Sequence, residues 1–410
     1  MNQESYRTLI SGQSRGLGAA LLWSVLGLAA TVYSVIIRMR NFLYERGWLR
    51  VHRSNAVVIS IGNITVGGTG KTPLVIWLCN LLRQKKIQCA ILTRGYKSRR
   101  ASRRPGAGQT SVTHRAKNEH DTRYAIRNTL IDEPVTLAQS CPETAVIVNP
   151  DRVAGAAEAV NRFGASVLIM DDGFQHRRLH RDVDIVTIDA TQPFGFGRML
   201  PAGLLREPIS ALERADAIVI TRCDQIAEAE LAMLEEKLQQ INPNMIVAKS
   251  IHAPISVKYS ERFVAAAKVG TERHSETVDS CLRRNDSIDQ LKGKKIYCFC
   301  GMGNPDAFLR TIEGLGCELV GSRIYNDHHR YTNGCLADIC RQAASVQADL
   351  ILTTQKDWTK IALLDTLQKD VPLGYLVIEI RFLAGEDKLR ALIQDALAGR
   401  ICETENSEDR

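Results

Sequence analysis

Short runs of apolar residues recur along the chain and alternate with segments of helical periodicity. The runs lie at residues 57–61, 89–96, 145–150, 166–179, 183–190 and 215–224. Apolar runs of this length, bounded by turn residues, are typical of buried strands, and the segments between them predict covering helices. The pattern therefore predicts an α/β fold with a mostly parallel sheet that is covered on both faces.

The alternation of strands and helices stops after about residue 250 and starts again near residue 294. We therefore predict five parts of the chain. They are an N-terminal apolar helix with a basic flank at 1–50, a first α/β domain at 51–250, a linker or insertion at 251–293, a smaller α/β domain at 294–400 and a polar tail at 401–410. A chain of 410 residues is long enough for two domains with cores of ordinary size.

The stretch Leu17–Ile37 contains 21 residues without a charged side chain, which is long enough for a helix to cross a bilayer. Small and polar residues recur along it at spacings of three and four, and larger apolar residues occupy the remaining faces. This pattern predicts membrane association without crossing; a true span and a plain buried helix remain alternatives. The arginines between Arg38 and Arg53 predict that the downstream side is cytoplasmic.

Composition narrows the class of protein further. Hydrophobic residues make up 45% of the chain and charged residues 24%, which are the proportions of a folded globular protein. The formal net charge is +8, and much of it lies in the segment 97–117. Such a run can contact nucleic acid or an anionic membrane, but we favour a solvated loop and predict no nucleic-acid partner.

The most informative stretch joins the first predicted strand to a helix that begins at Thr72. It contains glycines at positions 62, 67, 68 and 70, followed by Lys71. Glycines let backbone N–H groups point at an anion, the lysine reaches the outer phosphates, and the threonine hydroxyl can bind Mg²⁺. The strict pattern G-x-x-x-x-G-K-[ST] has glycine where this chain has Thr65. The stretch still predicts a nucleotide site and a P-loop NTPase-like domain at 51–250.

Pairs of acidic residues accompany two other predicted elements. Asp171 and Asp172 end an apolar strand, at the sheet edge where the phosphate loop also lies, and either can hold Mg²⁺ directly or through water. Asp132 and Glu133 open a helix at Pro134. Their position alone is that of a helix cap, but adjacent carboxylates can also serve as a general base for a substrate hydroxyl.

Two further blocks carry candidate polar residues. The segment 198–208 combines glycine, proline and alternating charge, as loops that line a site often do. His328 and His329 lie between a strand and a helix of the second domain. A pair of surface histidines is the simplest interpretation, and the orientation of a catalytic carboxylate is the alternative.

Together these blocks resemble the tetraacyldisaccharide 4′-kinase family, the lipid A 4′-kinases of Gram-negative bacteria. The matching blocks are GNITVGGTGKTP (62–73), TRGY (93–96), DEP (132–134), DDGFQHRRLHRD (171–182), LPAGLLREP (200–208), NDHHRYT (326–332) and TTQKDWTKI (353–361). Thr65 also occurs in this family's own phosphate loop. Two positions depart from the family's pattern: Ile131, where glycine is more frequent, and Gln355, where glutamate is usual.

The resemblance implies an enzyme at the cytoplasmic face of the inner membrane, either peripheral or anchored by a single helix. It implies transfer of the γ-phosphate of ATP, with Mg²⁺, to the 4′-hydroxyl of a tetraacyldisaccharide 1-phosphate in lipid A biosynthesis. Two alternatives remain. One is a phosphate-loop kinase or ligase of a soluble metabolite, and the other is a membrane-associated nucleotide-dependent switch ATPase.

The resemblance also assigns site residues. It implies that Asp132 is the catalytic base, with Glu133 beside it, and that His328 orients the base, although His329 remains an alternative. The implied nucleotide-binding residues are Thr65, Gly67, Gly68, Thr69, Gly70, Lys71, Thr72, Arg94 and Arg206. The implied Mg²⁺ ligands are Thr72, Asp171, Asp172 and Glu207.

Overall fold

The computed structural model describes residues 3–14, 16–95, 112–114, 132–259, 285–327, 329–362, 364 and 371–408. The chain divides into two compact units. Unit 1 comprises Met1–Ile251 and Ile380–Arg410, and unit 2 comprises His252–Glu379. Both units combine strands with helices, as the sequence predicts.

Unit 1 is built on a parallel sheet. Its strands are β1 (Val57–Gly62), β2 (Cys89–Thr93), β3 (Val112–His114), β4 (Ala145–Val148), β5 (Val167–Asp171), β6 (Val183–Asp189), β7 (Ala217–Thr221) and the first part of β8 (Ile246–Tyr259). Their order is β8-β7-β6-β1-β5-β2-β4-β3. These described strands pair in parallel except β3, which is antiparallel to β4.

Helices cover both faces of this sheet. The described α-helices of unit 1 that precede β8 are α1 (Gln3–Ile10), α2 (Leu17–Glu45), α3 (Lys71–Gln84), α4 (Asp132–Ser140), α5 (Arg152–Phe163) and α6 (Glu228–Ile241). On β1, Ile59 packs in a cluster with Leu78 of α3, whereas Val58 packs in a second cluster with Ala159 of α5. Because both faces of β1 are buried, its sequence is a continuous apolar run instead of an alternating one.

Unit 2 has a smaller parallel sheet. Its elements are β9 (Asn285–Asp286), β10 (Lys295–Cys300), α7 (Pro305–Glu313), β11 (Glu318–Ile324), α8 (Asn333–Ser345), β12 (Leu350–Thr354), α9 (Gln355–Ile361) and most of β13 (Leu373–Ala384). Strands β11, β10, β12 and β13 follow one another in this sheet. The second part of β8 pairs antiparallel with β9. Residues 252–259 are therefore strand, whereas the sequence predicted a linker or insertion from residue 251.

The last helix, α10 (Glu386–Glu408), belongs to unit 1, although the sequence placed residues up to 400 in the second domain. Leu389 and Ile393 are buried in the same cluster as the residues of β1 and α3. The indole of Trp77 on α3 donates a hydrogen bond to Glu386 at 3.2 Å. An amphipathic pattern indicates that a helix has a buried face, but it does not say which sheet covers that face.

The apolar N-terminal helix, α2, is longer than the predicted stretch and runs to Glu45. In the part of the chain that the structure describes, it is the helix whose length and composition suffice to cross a membrane. Its buried residues are Ala30, Ile37 and Asn41, which lie on one face of the helix. Most of its large apolar side chains are exposed.

Candidate active site

The phosphate loop runs from the end of β1 to the first residue of α3. Gly67 and Gly70 have φ angles of 130° and 88°, which residues with a side chain rarely adopt. Gly70 is the N-cap of α3, so Lys71 and Thr72 are the first residues of the helix. The first N–H groups of a helix have no partner inside it, and this end of α3 is therefore suited to bind phosphate.

Hydroxyl groups fasten the phosphate loop to the sheet. The side-chain amide of Asn63 donates to Thr69 Oγ1 at 3.0 Å, and the hydroxyls of Thr69 and Thr187 lie 2.7 Å apart. Thr187 in turn donates to the carbonyl of Gly62 at 3.1 Å. The side chain of Thr69 is thus buried and bound to protein, so a contact of this residue with nucleotide would come from its backbone.

Thr65, which departs from the strict glycine pattern, is buried beside the loop that contains LPAGLLREP. It forms an antiparallel bridge with Leu205. Next to this bridge, the backbone N–H of Arg206 donates to the carbonyl of Ile64 at 2.7 Å. The phosphate loop and the loop 200–208 therefore run side by side, which places Arg206 at the phosphate site.

Asp172 contacts both cations of this site. Its carboxylate lies 3.3 Å from Lys71 Nζ and accepts hydrogen bonds of 2.8 and 2.9 Å from the guanidinium of Arg206. Burial alone would raise the pKa of Asp172, but Lys71 and Arg206 outweigh burial and hold this pKa well below its usual range. The backbone of Asp172 has a φ of 52°, which non-glycine residues adopt infrequently.

Asp171 is the last residue of β5, and its side chain is buried. Burial, followed by the charges of Glu133 and Asp172, raises its pKa to about 7. The hydroxyl of Thr93 donates to the Asp171 carboxylate at 3.3 Å, and Arg152 donates to its backbone carbonyl at 2.9 Å. Two adjacent acids at one strand end therefore have opposite pKa shifts.

The residues of the DEP and TRGY blocks lie at the same edge of the sheet. Helix α4 begins at Asp132, whose side chain lies outside the described part of the structure. Glu133 is half-buried and close enough to Asp171 to raise its pKa. Arg94 follows β2 and is exposed. Burial lowers the pKa of Arg152 to about 10, and the nearby charge of Arg94 contributes to this shift.

Glu207 is not grouped with the other acids. Its side chain has no exposed surface, and its two oxygens accept from Arg40 at 2.9 Å and from Arg214 at 2.6 Å. Among the described residues, no group of three or more His, Cys, Asp or Glu side chains is arranged to hold a metal ion. A metal ion bound to Glu207 would have to displace at least one of these arginines. The sequence predicts Glu207 as a metal ligand but gives no sign of these ion pairs.

In unit 2, His328 lies outside the described residues, so its predicted role stays a prediction. His329 is packed into this unit: its ring stacks on Tyr325 at 4.3 Å between centroids and meets Tyr331 edge to face. Its Nε2 lies 3.7 Å from Cys335 Sγ. These contacts explain His329 as a residue of the unit 2 fold.

Two buried arginines support the site, and the sequence analysis did not single them out. Arg222 forms an ion pair with Asp189 at the end of β6 and donates to the carbonyl of Gly68 at 3.0 Å. Arg152 binds the carbonyl of Asp171, as described above. Arg222 directly follows β7 and Arg152 shortly follows β4, and this position at the carboxyl edge of the sheet was the available signal.

The donor set suits Mg²⁺. The carboxylates of Asp171 and Asp172 and the hydroxyl of Thr72 are oxygen donors, which this ion prefers. Burial raises the pKa of Asp171 first, and the negative charges of Glu133 and Asp172 raise it further; a bound cation would favour the ionised form. Mg²⁺ is commonly held by one or two carboxylates together with substrate phosphates, so a larger protein cluster is not required.

A parallel sheet with a phosphate loop, a helix opening in Gly-Lys-Thr and acids at the next strand end define a phosphate-loop enzyme that acts on nucleotides. The family model of the tetraacyldisaccharide-1-P 4′-kinases matches residues 22–398 of this chain. The chain belongs to this family. The family that the sequence motifs predicted is thereby confirmed.

Individual relatives agree with the family match. A tetraacyldisaccharide 4′-kinase of Halothermothrix orenii is 34% identical over 384 residues, covering 92% of this chain and 94% of that protein. One of Anaeromyxobacter sp. (strain Fw109-5) is 36% identical over 387 residues, covering 94% and 95%. The crystal structure of LpxK from Aquifex aeolicus in complex with ATP has a TM-score of 0.61 and 27% identity, and the match covers 92% of this chain and 99% of that one. The chain is therefore a kinase, and the alternative of a switch ATPase is not favoured.

Proposed function

We propose that this enzyme transfers the γ-phosphate of ATP to the 4′-hydroxyl of a tetraacylated glucosamine disaccharide 1-phosphate, a step of lipid A biosynthesis. The observation that carries the proposal is the meeting of Lys71, Arg206 and Asp172 at the phosphate loop of a chain that belongs to this kinase family. The names of the relatives supply the acceptor, and the ATP bound to the Aquifex aeolicus protein supports the donor.

Phosphoryl transfer requires alignment and neutralisation of charge more than covalent chemistry. Lys71 lies at the start of α3 and would contact the outer phosphates, while the N–H groups of the loop surround the remaining phosphate oxygens. Arg206 is held against the phosphate loop by its own backbone and carries a second positive charge to the site. Arg94, at the end of β2, is the proposed third cationic contact.

Thr72, Asp171 and Asp172 would hold Mg²⁺, with Glu207 a weaker candidate because two arginines already bind it. When bound, the ion would neutralise charge that develops on the phosphate oxygens during transfer. Arg152 fixes the backbone at Asp171 and so keeps the strand end in place.

The proposed base is Asp132, at the first position of α4, where the helix dipole favours a negative charge. It would accept the proton of the sugar hydroxyl as the attack proceeds, and Glu133 beside it already acts on Asp171 through its charge. His328 is proposed to orient Asp132 by a hydrogen bond. A carboxylate is a weak base for an alcohol, so the proton should move late in the reaction.

We further propose that α2 places the enzyme at the cytoplasmic face of the inner membrane. Leu17, Leu21 and Leu28 are 92%, 71% and 70% exposed. The exposed hydroxyls of Ser24 and Thr31 donate to backbone carbonyls of α2 itself, so they can lie in an apolar medium without an unsatisfied donor. A lipid acceptor supports this location, because extracting an acyl chain into water costs about 0.8 kcal/mol per CH₂.

The test is to incubate the purified full-length protein with Mg²⁺, ATP and the lipid disaccharide in detergent and to record the mass of the acceptor. We expect a gain of about 80 Da, the mass of the transferred HPO₃. Asp132→Asn should lower kcat by about 100-fold or more and leave the Kd for ATP within about 3-fold. The control is Glu143→Gln, an exposed acid that follows α4, which should behave like the wild type.

Other results would contradict the proposal. Phosphorylation of a soluble acceptor but not of the lipid disaccharide would support a metabolite kinase. ATP hydrolysis at the same rate with and without lipid would support a switch ATPase. Near-normal kcat of Asp132→Asn would remove Asp132 from the mechanism while leaving the overall reaction in place.

A further inference from the structure

The apolar helix α2 carries an unusual polar group on its protein-facing side. Asn41 is 8% exposed, and burial of an amide is costly unless its hydrogen bonds are made. Here they are made: Nδ2 donates to Glu207 at 3.2 Å, and Oδ1 accepts from the guanidinium of Arg40 at 2.9 and 3.2 Å. A helix that served only as an apolar anchor would not need these groups on its buried face.

The acid that these groups bind is Glu207, in the loop beside the phosphate loop. Arg40 reaches it from α2 at 2.9 Å, and Arg214 reaches it from its other side at 2.6 Å. A carboxylate without exposed surface needs partners of this kind to stay charged. The side chain of Glu207 therefore fixes its loop to α2 by charged hydrogen bonds, which are about twice as strong as neutral ones.

The residue before it, Arg206, is held from two directions. Its backbone N–H donates to the carbonyl of Ile64 in the phosphate loop, and its carbonyl accepts from the hydroxyl of Tyr33 on α2 at 3.0 Å. Its guanidinium then lies on Asp172. The backbone position of Arg206 is thus set jointly by the phosphate loop and by α2.

We propose that Tyr33, Arg40 and Asn41 of α2 are positioning residues for phosphoryl transfer, which act by holding Arg206 at the phosphate site through its carbonyl and through Glu207. The inference rests on the proposed function, because it takes Arg206 as a phosphate contact. In this account α2 has two roles on two faces. Its exposed apolar face meets lipid, and its polar buried face sets the geometry of the transfer site.

The expected fall in kcat follows from the proposed role of Arg206 as a phosphate contact. A charged group is effective in phosphoryl transfer only when it is held in the right place, and a displacement of about 1 Å can cost about 100-fold in rate. Loss of the Tyr33 hydroxyl or of the Arg40 charge should therefore lower kcat. The KM for ATP should change less, since Lys71 and the loop amides are untouched.

The experiment compares Tyr33→Phe and Arg40→Gln with Arg38→Gln in the full-length protein. Arg38 lies on the same helix, carries the same charge as Arg40 and is exposed. We expect kcat to fall by about 10-fold or more in the first two variants and to stay near the wild-type value in the third. Binding of all three proteins to uncharged phosphatidylcholine vesicles should remain equal, which separates positioning from anchoring. Tyr33→Phe keeps the aromatic ring, so it tests the idea even if Arg40→Gln folds poorly.

A double-mutant cycle with Arg206→Gln tests whether Arg40 acts through Arg206. If Arg40 acts through Arg206, then Arg40→Gln added to Arg206→Gln should lower kcat by less than about 2-fold further. Independent effects that multiply, or equal kcat of the Arg40→Gln and Arg38→Gln variants, would overturn the inference and leave the proposed function standing. Absence of transfer to the lipid disaccharide by the wild-type protein would instead overturn both.

Discussion

Arg206 binds Asp172 with one guanidinium nitrogen 2.8 and 2.9 Å from the two carboxylate oxygens, and the same carboxylate lies 3.3 Å from Lys71. Asp172 is therefore paired with both Lys71 and Arg206, two of the cations that are proposed to contact the phosphates. Under the proposed function, the phosphates of the nucleotide would compete with Asp172 for these two cations. Asp172 would then be released for its proposed role as a Mg²⁺ ligand.

This competition leads to opposite effects of Asp172→Asn on binding and on turnover. Without Mg²⁺, the variant should bind ATP several-fold more tightly than the wild type, because a neutral amide competes weakly for Lys71 and Arg206. With Mg²⁺, kcat should fall by about 100-fold or more, since a proposed metal ligand is lost. Calorimetric titration in EDTA and steady-state kinetics measure the two effects. Asp224→Asn, at an exposed acid of unit 1, is the control; weaker ATP binding in EDTA by Asp172→Asn would refute the competition.

The raised pKa of Asp171 predicts a change of stability with pH in the metal-free protein. The folded protein keeps a proton on Asp171 up to about pH 7, whereas the unfolded chain loses it near its usual value of 3.8. Between these values the folded state binds more protons, so this group makes the free energy of unfolding fall as pH rises. Asp171→Asn has no proton to lose. Its stability relative to the wild type should therefore increase from about pH 4 to about pH 7 and stay constant above that.

Urea unfolding of both proteins in EDTA, at several pH values between about 4.5 and 8.5, measures this difference. The difference between the two proteins is the proper readout, because groups that do not interact with Asp171 titrate equally in both. Parallel curves over the whole range would show that Asp171 does not hold its proton in the folded state.

Local patterns were sufficient to predict much of this structure. The residues 57–61 are apolar because both faces of β1 are buried, and the glycines after them are needed for positive φ angles at Gly67 and Gly70. Such features depend on neighbouring residues, so a sequence reports them directly. Helix α5 begins at Arg152 because the side chain of the preceding Asp151 accepts hydrogen bonds from two backbone N–H groups of the first turn.

Features that depend on contacts between distant residues were not predictable in this way. The pairing of Glu207 with Arg40 joins residues 167 positions apart, and nothing near either residue indicates the other. The same holds for the C-terminal helix α10, whose buried face packs in the core of unit 1 and not in that of unit 2. A charged residue in a loop looks alike in sequence whether it binds a metal or an arginine, and only its partners decide between them.

Substitution of Arg222 should lower both the stability of the protein and its affinity for ATP. Its effect on stability should not add to that of substituting its partner Asp189. Both side chains are buried, and Arg222 also holds the carbonyl of Gly68. Arg222→Gln should lower the free energy of unfolding by about 3 kcal/mol, because it leaves a buried carboxylate without its cation. The affinity for ATP should fall as well, since the Gly68 carbonyl loses its partner.

Combination with Asp189→Asn provides the control. If the pair accounts for the loss, the double variant should be destabilised by less than the sum of the two single variants. Thermal unfolding and ATP titration of the three proteins check this expectation. Additive losses would indicate that the two residues act on the loop separately.

The exposed face of α2 predicts that membrane binding can be removed without unfolding the enzyme. Leu21, Leu28 and Val32 are 71%, 70% and 54% exposed, so the folded protein loses little packing when they become glutamine. Each such leucine inserted into lipid contributes about 1.5–3 kcal/mol, and the triple variant should float poorly with vesicles.

The control is Met233→Gln, which removes an equally exposed apolar residue from α6, at 71% exposure, and should float normally. The triple variant should still phosphorylate substrate dispersed in detergent while losing activity on substrate embedded in vesicles. Equal flotation of the triple variant and the wild type would show that another surface binds the bilayer.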